Sequence, residues 1–294
     1  MTSRIILPDN YRLREVLAFH GRDPQKLAED VTGNLLRKGL MLDGKPALLT
    51  VSLDAHEARY EIAVDGNANI IDDGELRVTV ERMLGLHFHP ETFEATVAAE
   101  PLLGPIVASQ RGLRIPQTAT AFEALSWAIV GQQIGLGFAI TLRRRLIELC
   151  GVRHSSGMAC YPDATQLARV SADELGKLQF SRAKSEALIR VARLIEEAKL
   201  DLEQLRANEP TAVFEALTAI KGIGPWTANY VLMRGLGAVD CSLHGDAAVR
   251  AAIVRITARA QKLEQTEVQG MLEAYKPWRS LAAAHLWASN ALPA

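Results

Sequence analysis

The chain has 294 residues, of which 48% are hydrophobic and 23% charged, and a formal net charge of −1. That is a globular composition with room for two domains. It holds no low-complexity tract or fixed-period repeat and no run of about 18 apolar residues to span a membrane, and Asp9 interrupts the N-terminus before a signal peptide would be expected to form. Three irregularly spaced cysteines, Cys150, Cys160 and Cys241, argue against a disulfide framework, exclude a four-cysteine metal or iron–sulfur site, and point to a reducing compartment.

The first hundred residues read as mixed α and β. Residues 22–38 have helical spacing. Residues 46–53 (PALLTVSL) and 59–65 (RYEIAVD) are β-branched and aromatic runs on either side of the polar stretch 54–58, the pattern of a hairpin. Residues 75–86 (ELRVTVERMLGL) read either as an amphipathic helix or as a strand leading into one. Residues 1–110 carry 11 Lys and Arg against 17 Asp and Glu, a balance of −6, whereas residues 111–294 carry 22 against 17, a balance of +5. Any grip on a phosphate backbone belongs to the second part, with few contacts and a shallow salt dependence.

Beyond residue 110 helical periodicity takes over. Thr118 and Thr120 are N-cap candidates, with Glu123 in capping-box position to Thr120, and Ser171 with Glu174 repeats that spacing. Helical patterns continue over 210–220, 225–235, 246–258 and 264–274, and a last helix follows Pro277. Short connections imply packed helices. The predicted fold class is therefore α+β: a mixed α/β domain over 1–110, then an all-helical domain over 111–294.

The most informative stretch is 217–235, LTAIKGIGPWTANYVLMRG. A helix is predicted to end at Lys221 and another to begin at Pro225, whose missing N–H costs nothing in a first turn. Gly222, Ile223 and Gly224 lie where the new helix exposes its amides, so backbone donors and the helix dipole can meet a phosphate with no side chain in the way. A dinucleotide loop would need a preceding strand and a third glycine; here a helix precedes and Thr227 stands in the third place. A plain helix-to-helix turn is the alternative reading of these residues. Downstream, Asp246 opens AAVRAAIVRI and can cap that helix, where negative charge is favoured. Asp240 competes as the functional carboxylate. His244 offers a metal partner to Asp246 but no third ligand.

Five stretches, AFEALSWAIVGQQI, LQFSRAKSEAL, KGIGPWTANYVLMRG, VDCSLHGDAAVR and YKPWRSLAAAHLW, together resemble the helix-hairpin-helix DNA glycosylases, most of all the bacterial DNA-3-methyladenine glycosylase II (AlkA) type. YRLREVLAFHGRD at 11–23 is similar to that family's accessory α/β domain. The resemblance makes Asp246 the catalytic carboxylate, stabilising positive charge on the sugar and handling the attacking water. It places Trp226 where strand-nicking relatives carry a lysine nucleophile, which implies a monofunctional enzyme that uses water. Trp226, Tyr230 and Trp287, with Phe19 from the accessory domain, become the walls of a base pocket whose electron-rich faces attract cationic alkylated purines. Ala247 stands where the AlkA type carries a tyrosine, which implies a roomier pocket.

The break at Gly131–Ile134 corresponds to the loop that fills the gap left by a flipped base, with Gln133 or Ile134 as the wedge. The hairpin residues Gly222, Ile223 and Gly224 would hold DNA phosphate. The carbonyls of Thr218, Ile220 and Ile223 would hold a monovalent cation, Na+ or K+, and no cofactor is required. The implied partner is double-stranded DNA carrying alkylated bases, handled by a monomer in the cytoplasm at the nucleoid. The competing reading is a non-catalytic helix-hairpin-helix DNA-binding module. An enzyme for oxidised or mispaired bases is disfavoured by the missing lysine and cysteine cluster.

Overall fold

The computed structural model describes residues 3–66, 72–259 and 261–290. The N-terminal part is built on an antiparallel five-stranded sheet: β1 (Ser3–Ile6), then helix α1 (Leu13–His20), β2 (Glu29–Thr32), β3 (Leu35–Leu42), β4 (Lys45–Leu53) and β5 (Glu57–Val64), in the order β1-β5-β4-β3-β2. The 46–65 hairpin forms as its alternation predicts: Ala47, Leu49, Val51 and Leu53 face inward along β4 and Ala58 and Tyr60 along β5. α2 (Asp73–Met83) settles the ambiguous 75–86 stretch as a helix, capped by Asp72, and lays Val80 and Met83 on the same core as Val16 and Leu17 of α1.

The helix expected over 22–38 is not there. That stretch holds a loop, β2 and the start of β3, because Gly33 takes a left-handed turn at φ +57 and returns the chain antiparallel onto itself. Leu36 and Leu40 are spaced like one face of a helix, yet both reach the core from a strand. Burial by neighbouring strands, which local periodicity does not register, overrode the pattern.

The second part is helical. It comprises α3 (Pro90–Val97), α4 (Gly104–Ser109), α5 (Ala121–Gly131), α6 (Leu136–Cys150), α7 (Ala164–Ala168), α8 (Ala172–Lys177), α9 (Arg182–Glu196), α10 (Leu202–Leu205), α11 (Pro210–Thr218), α12 (Pro225–Arg234), α13 (Ala247–Ile256), α14 (Gln265–Glu273) and α15 (Arg279–Ser289). α5 is buried on every side and is the hub of this core. Ser171 and Glu174 form the predicted reciprocal capping box on α8. On α5 only half of the predicted box exists. Thr120 Oγ1 accepts from the Glu123 amide at 3.1 Å, but the Glu123 carboxylate turns inward.

That carboxylate belongs to a buried charge cluster joining the two parts. Lys38 Nζ on β3 lies 2.9 Å from Glu29 of β2 and 2.5 Å from Glu123. Arg143 of α6 lies 2.8 Å from Glu29 and 2.9 Å from Glu123. Burial alone would raise both carboxyl groups, but Lys38 and Arg143 outweigh it. They hold Glu29 well below the ordinary glutamate range and Glu123 below it. Nearby, the Tyr161 amide donates to the Gly39 carbonyl, and a Cβ at Gly39 would stand 2.1 Å from the Ala159 carbonyl oxygen, so only glycine permits this approach. The sheet is thus locked onto the helical part behind α1, whose Phe19 ring centroid lies 4.4 Å from the guanidinium carbon of Arg234.

Candidate active site

α11 and α12 form the hairpin, with Gly222 at φ +99 in the turn. A Cβ there would also meet the Ala187 Cβ of α9 at 2.8 Å, so Gly222 is required by conformation and by packing. Gly224 differs. It is the N-cap of α12 at φ −95, no side chain caps the helix, and a Cβ would meet nothing within 4 Å. The start of α12 is therefore uncapped and Gly224 puts no side chain in the way of an anion. Ile223 anchors the turn by burying its side chain.

The loop after α5 is tied to this hairpin. Gln132 Nε2 donates to the Gly222 carbonyl and to Thr227 Oγ1, both at 3.0 Å, and Lys184 Nζ donates to the carbonyls of Val130 and Gln132. Gln133 stands at the loop's exposed apex with φ +57, whereas Ile134 packs partly against the helical core.

Asp246 caps α13. Its Oδ1 accepts from the amides of Ala248 and Val249 and from Trp287 Nε1, each at 2.9 Å, and its Oδ2 accepts from Trp226 Nε1 at 2.9 Å. Four donors from three helices fix one half-buried carboxylate. Trp226 and Tyr230 lie one turn apart on α12 with ring centroids 5.4 Å apart, and Tyr230 lies 6.5 Å from the Trp287 ring of α15. Phe19 reaches this group through Arg234, whose guanidinium carbon is 4.4 Å from the Phe19 centroid and 5.3 Å from that of Trp287. Ala247, next in the chain, is exposed.

The competitors lie elsewhere. Asp240 is held by Arg279 at 2.6 and 3.0 Å. His244 bonds Ser242 at 3.0 Å, and burial together with Arg279 holds its imidazole below the ordinary range. Among the described residues no cluster of three or more His, Cys, Asp or Glu could bind a metal.

Sequence reasoning missed three neighbours: Arg22, Trp127 and Arg234. Arg234 follows Trp226 and Tyr230 at the same four-residue interval, so helical spacing alone would have placed it on their face. Arg22 and Trp127 meet only across the domain boundary, with the guanidinium carbon 4.3 Å from the indole.

Comparison with known proteins agrees with this geometry. Residues 126–279 match the HhH-GPD superfamily of base excision DNA repair proteins, and residues 7–120 match the AlkA N-terminal domain. The DNA-3-methyladenine glycosylase of Bacillus subtilis is 26% identical over 289 residues, covering 96% of this chain and 95% of that protein. DNA-3-methyladenine glycosylase 2 of Escherichia coli is 29% identical over 215 residues, covering 72% and 71%. The solved 3-methyladenine DNA-glycosylase from Archaeoglobus fulgidus shares the fold with a TM-score of 0.82 at 22% identity, covering 98% of each chain. The chain, with its sheet domain, its hairpin and its capped Asp246, belongs to the HhH-GPD superfamily of base excision DNA repair proteins.

Proposed function

We propose that the chain is a monofunctional DNA glycosylase that flips alkylated bases such as 3-methyladenine out of double-stranded DNA and hydrolyses their N-glycosidic bonds. The observation that carries this reading is the placement of Asp246, clamped by two helix amides and two indoles at the edge of the Trp226–Tyr230–Trp287 group. As the glycosidic bond stretches, positive charge develops on the sugar, and a carboxylate that needs no reorientation stabilises it. Oδ1 already accepts three hydrogen bonds and Oδ2 only one, so Oδ2 is the oxygen free to face the sugar or to orient the attacking water. A cationic alkylated purine is already a good leaving group, which suits a site with aromatic walls and one carboxylate.

Trp226 occupies the place where a lysine would form a Schiff base, so water is the nucleophile and the product strand stays intact. The uncapped start of α12, with Gly222, Ile223 and Gly224, grips a phosphate. Gln133, exposed at its apex while Ile134 is packed, is the wedge. The carbonyls of Thr218, Ile220 and Ile223 hold Na+ or K+; that of Ile220 accepts the Ile223 amide at 3.0 Å and keeps a second lone pair for the ion. The protein works as a monomer in the cytoplasm, at the nucleoid. Among the described residues no helix is long and apolar enough to cross a membrane.

The test is base release from a panel of defined lesion duplexes, with Asp246→Asn as control. Release of an alkylated base by the wild type and not by the variant supports the reading. Binding without release of any base would make the chain a non-catalytic module.

A further inference from the structure

Followed from residue to residue, the contacts around Asp246 close into a ring that spans both domains. Trp226 comes up against Gly131 at the end of α5, whose Cβ, if present, would lie 3.9 Å from the indole edge. Trp127 is one turn back on that helix, 4.3 Å from the Arg22 guanidinium carbon, and Arg22 is 4.6 Å from the Phe19 centroid. Phe19 meets Arg234, Arg234 meets Trp287, and Trp287 returns to Asp246. Two of the members opposite the carboxylate are therefore cations stacked on one phenyl ring.

Neither cation has a carboxylate of its own. Arg22 makes no hydrogen bond or ion pair to the described residues, and its Nε and Nη2 are buried without a partner. Arg234, only 9% exposed, donates to the Pro116 carbonyl at 2.6 Å, and its Nε is likewise buried and unpartnered. Arg143 also has orphaned nitrogens, but two glutamates hold it. Glu29, whose carboxylate feels the Arg22 charge, is already engaged by Lys38 and Arg143. Burial and the neighbouring Arg22 charge lower the pKa of Arg234 to about 10. A buried donor without an acceptor costs free energy until one arrives, and a guanidinium fork matches the carbonyl oxygen and ring nitrogen on the edge of a 6-oxopurine.

We infer that Arg22, backed by Arg234, is a specificity-determining residue that reads the O6/N7 edge of a flipped neutral 6-oxopurine such as hypoxanthine. This inference rests on the glycosylase reading above. The aromatic walls attract a cationic base, whereas the two guanidinium groups repel it and reward an acceptor edge. A 6-amino purine presents a donor at C6 and leaves N7 as the one acceptor on that edge, so the two-pronged contact is lost.

The test is single-turnover base release from four duplexes. They contain hypoxanthine (neutral, 6-oxo), 7-methylguanine (cationic, 6-oxo), 1,N6-ethenoadenine (neutral, no oxo group) and 3-methyladenine (cationic, 6-amino). Wild type is compared with Arg22→Met and Arg22→Lys. Met keeps the contacts with Phe19 and Trp127 and orphans no partner, and thermal melting checks that each variant is folded. Wild type is expected to release hypoxanthine. Arg22→Met is expected to lower the hypoxanthine to 3-methyladenine rate ratio by about 10- to 100-fold, the worth of a hydrogen bond to a charged group, and Lys to restore part of it. A parallel fall on all four bases would make Arg22 a packing residue and overturn the inference. So would unchanged ratios, or wild type that releases the alkylated bases and not hypoxanthine. Release of none of the four by wild type would instead sink the glycosylase reading itself.

Discussion

Asp246→Asn separates what the carboxylate does for the fold from what it does for the reaction. Asparagine caps helices as well as aspartate. Its side-chain oxygen, placed at Oδ1, keeps the bonds from Ala248, Val249 and Trp287, all at 2.9 Å in the wild type. Its NH2 then stands where Oδ2 was, donor against donor with Trp226 Nε1. One misplaced donor at a half-exposed site costs about 1 kcal/mol, the low end for an unsatisfied polar group. That amounts to about 2–4 °C in melting temperature for a chain near this size. The reaction loses a full negative charge beside the developing cation. Removing one preorganised group costs about 10²–10³ in rate. With the proposed handling of water by Asp246 added, the expected loss is about 10³–10⁴, or about 4–5.5 kcal/mol. Single-turnover base release, read after alkaline cleavage of the abasic product, measures the rate. A duplex with an uncleavable abasic analogue reports binding, expected to stay within about threefold because phosphate contacts dominate it. A folded variant with a rate within about tenfold of wild type would refute the assignment of Asp246 and move the chemistry to another group.

Three further perturbations test the rest of the site. Borohydride should trap no covalent adduct with lesion DNA, and the product should be an uncut abasic strand; efficient nicking by purified protein would contradict the role given to Trp226. Gly224→Asp should fold, since its φ is −95 and a Cβ meets nothing, yet bind damaged and undamaged duplexes more weakly by a common factor of about 10 or more; unchanged affinity in a folded variant would move the DNA contact away from the hairpin. Lys38→Met should lower stability by about 3–5 kcal/mol, seen in chemical denaturation, because Glu29 and Glu123 would then share Arg143 as their one ion-paired lysine or arginine among the described residues. Both glutamates titrate below their ordinary value of about 4.5, so their contribution is fully present above that pH and is lost as pH falls through the lowered values; a melting temperature flat from pH 6 down to about pH 3 would argue against it.

The sequence made some of this site readable and hid the rest for a definite reason. Trp226, Tyr230 and Asp246 lie within one hairpin and the helix that follows, where chain order and the four-residue helical interval already bring side chains together. The same interval reaches Arg234, but an arginine in the last turn of a helix reads first as a partner of the helix dipole. The clamp of Trp287 on Asp246 spans 41 residues, and no local pattern encodes which indole turns toward which carboxylate. The strands at 29–42 were obscured for a related reason: Leu36 and Leu40 share a core with Val80 and Met83 of α2, and Lys38 meets Glu123 of α5, partners that lie far along the chain. Lys38 is fully buried, because the acids that neutralise it come from another strand and another domain. That cluster also explains why the sheet domain matters to a site whose carboxylate lies in the helical part. His20 bonds the Met83 carbonyl at 2.9 Å and lies 3.5 Å from Glu29, so α1 is pinned at its end between the sheet core and the charge cluster. Phe19 is the residue before it and Arg22 the second after it, so both are set by groups that touch neither base nor DNA. Loosening the cluster at Lys38 would therefore shift the far wall of the ring while Asp246, clamped by its own helices, stayed in place.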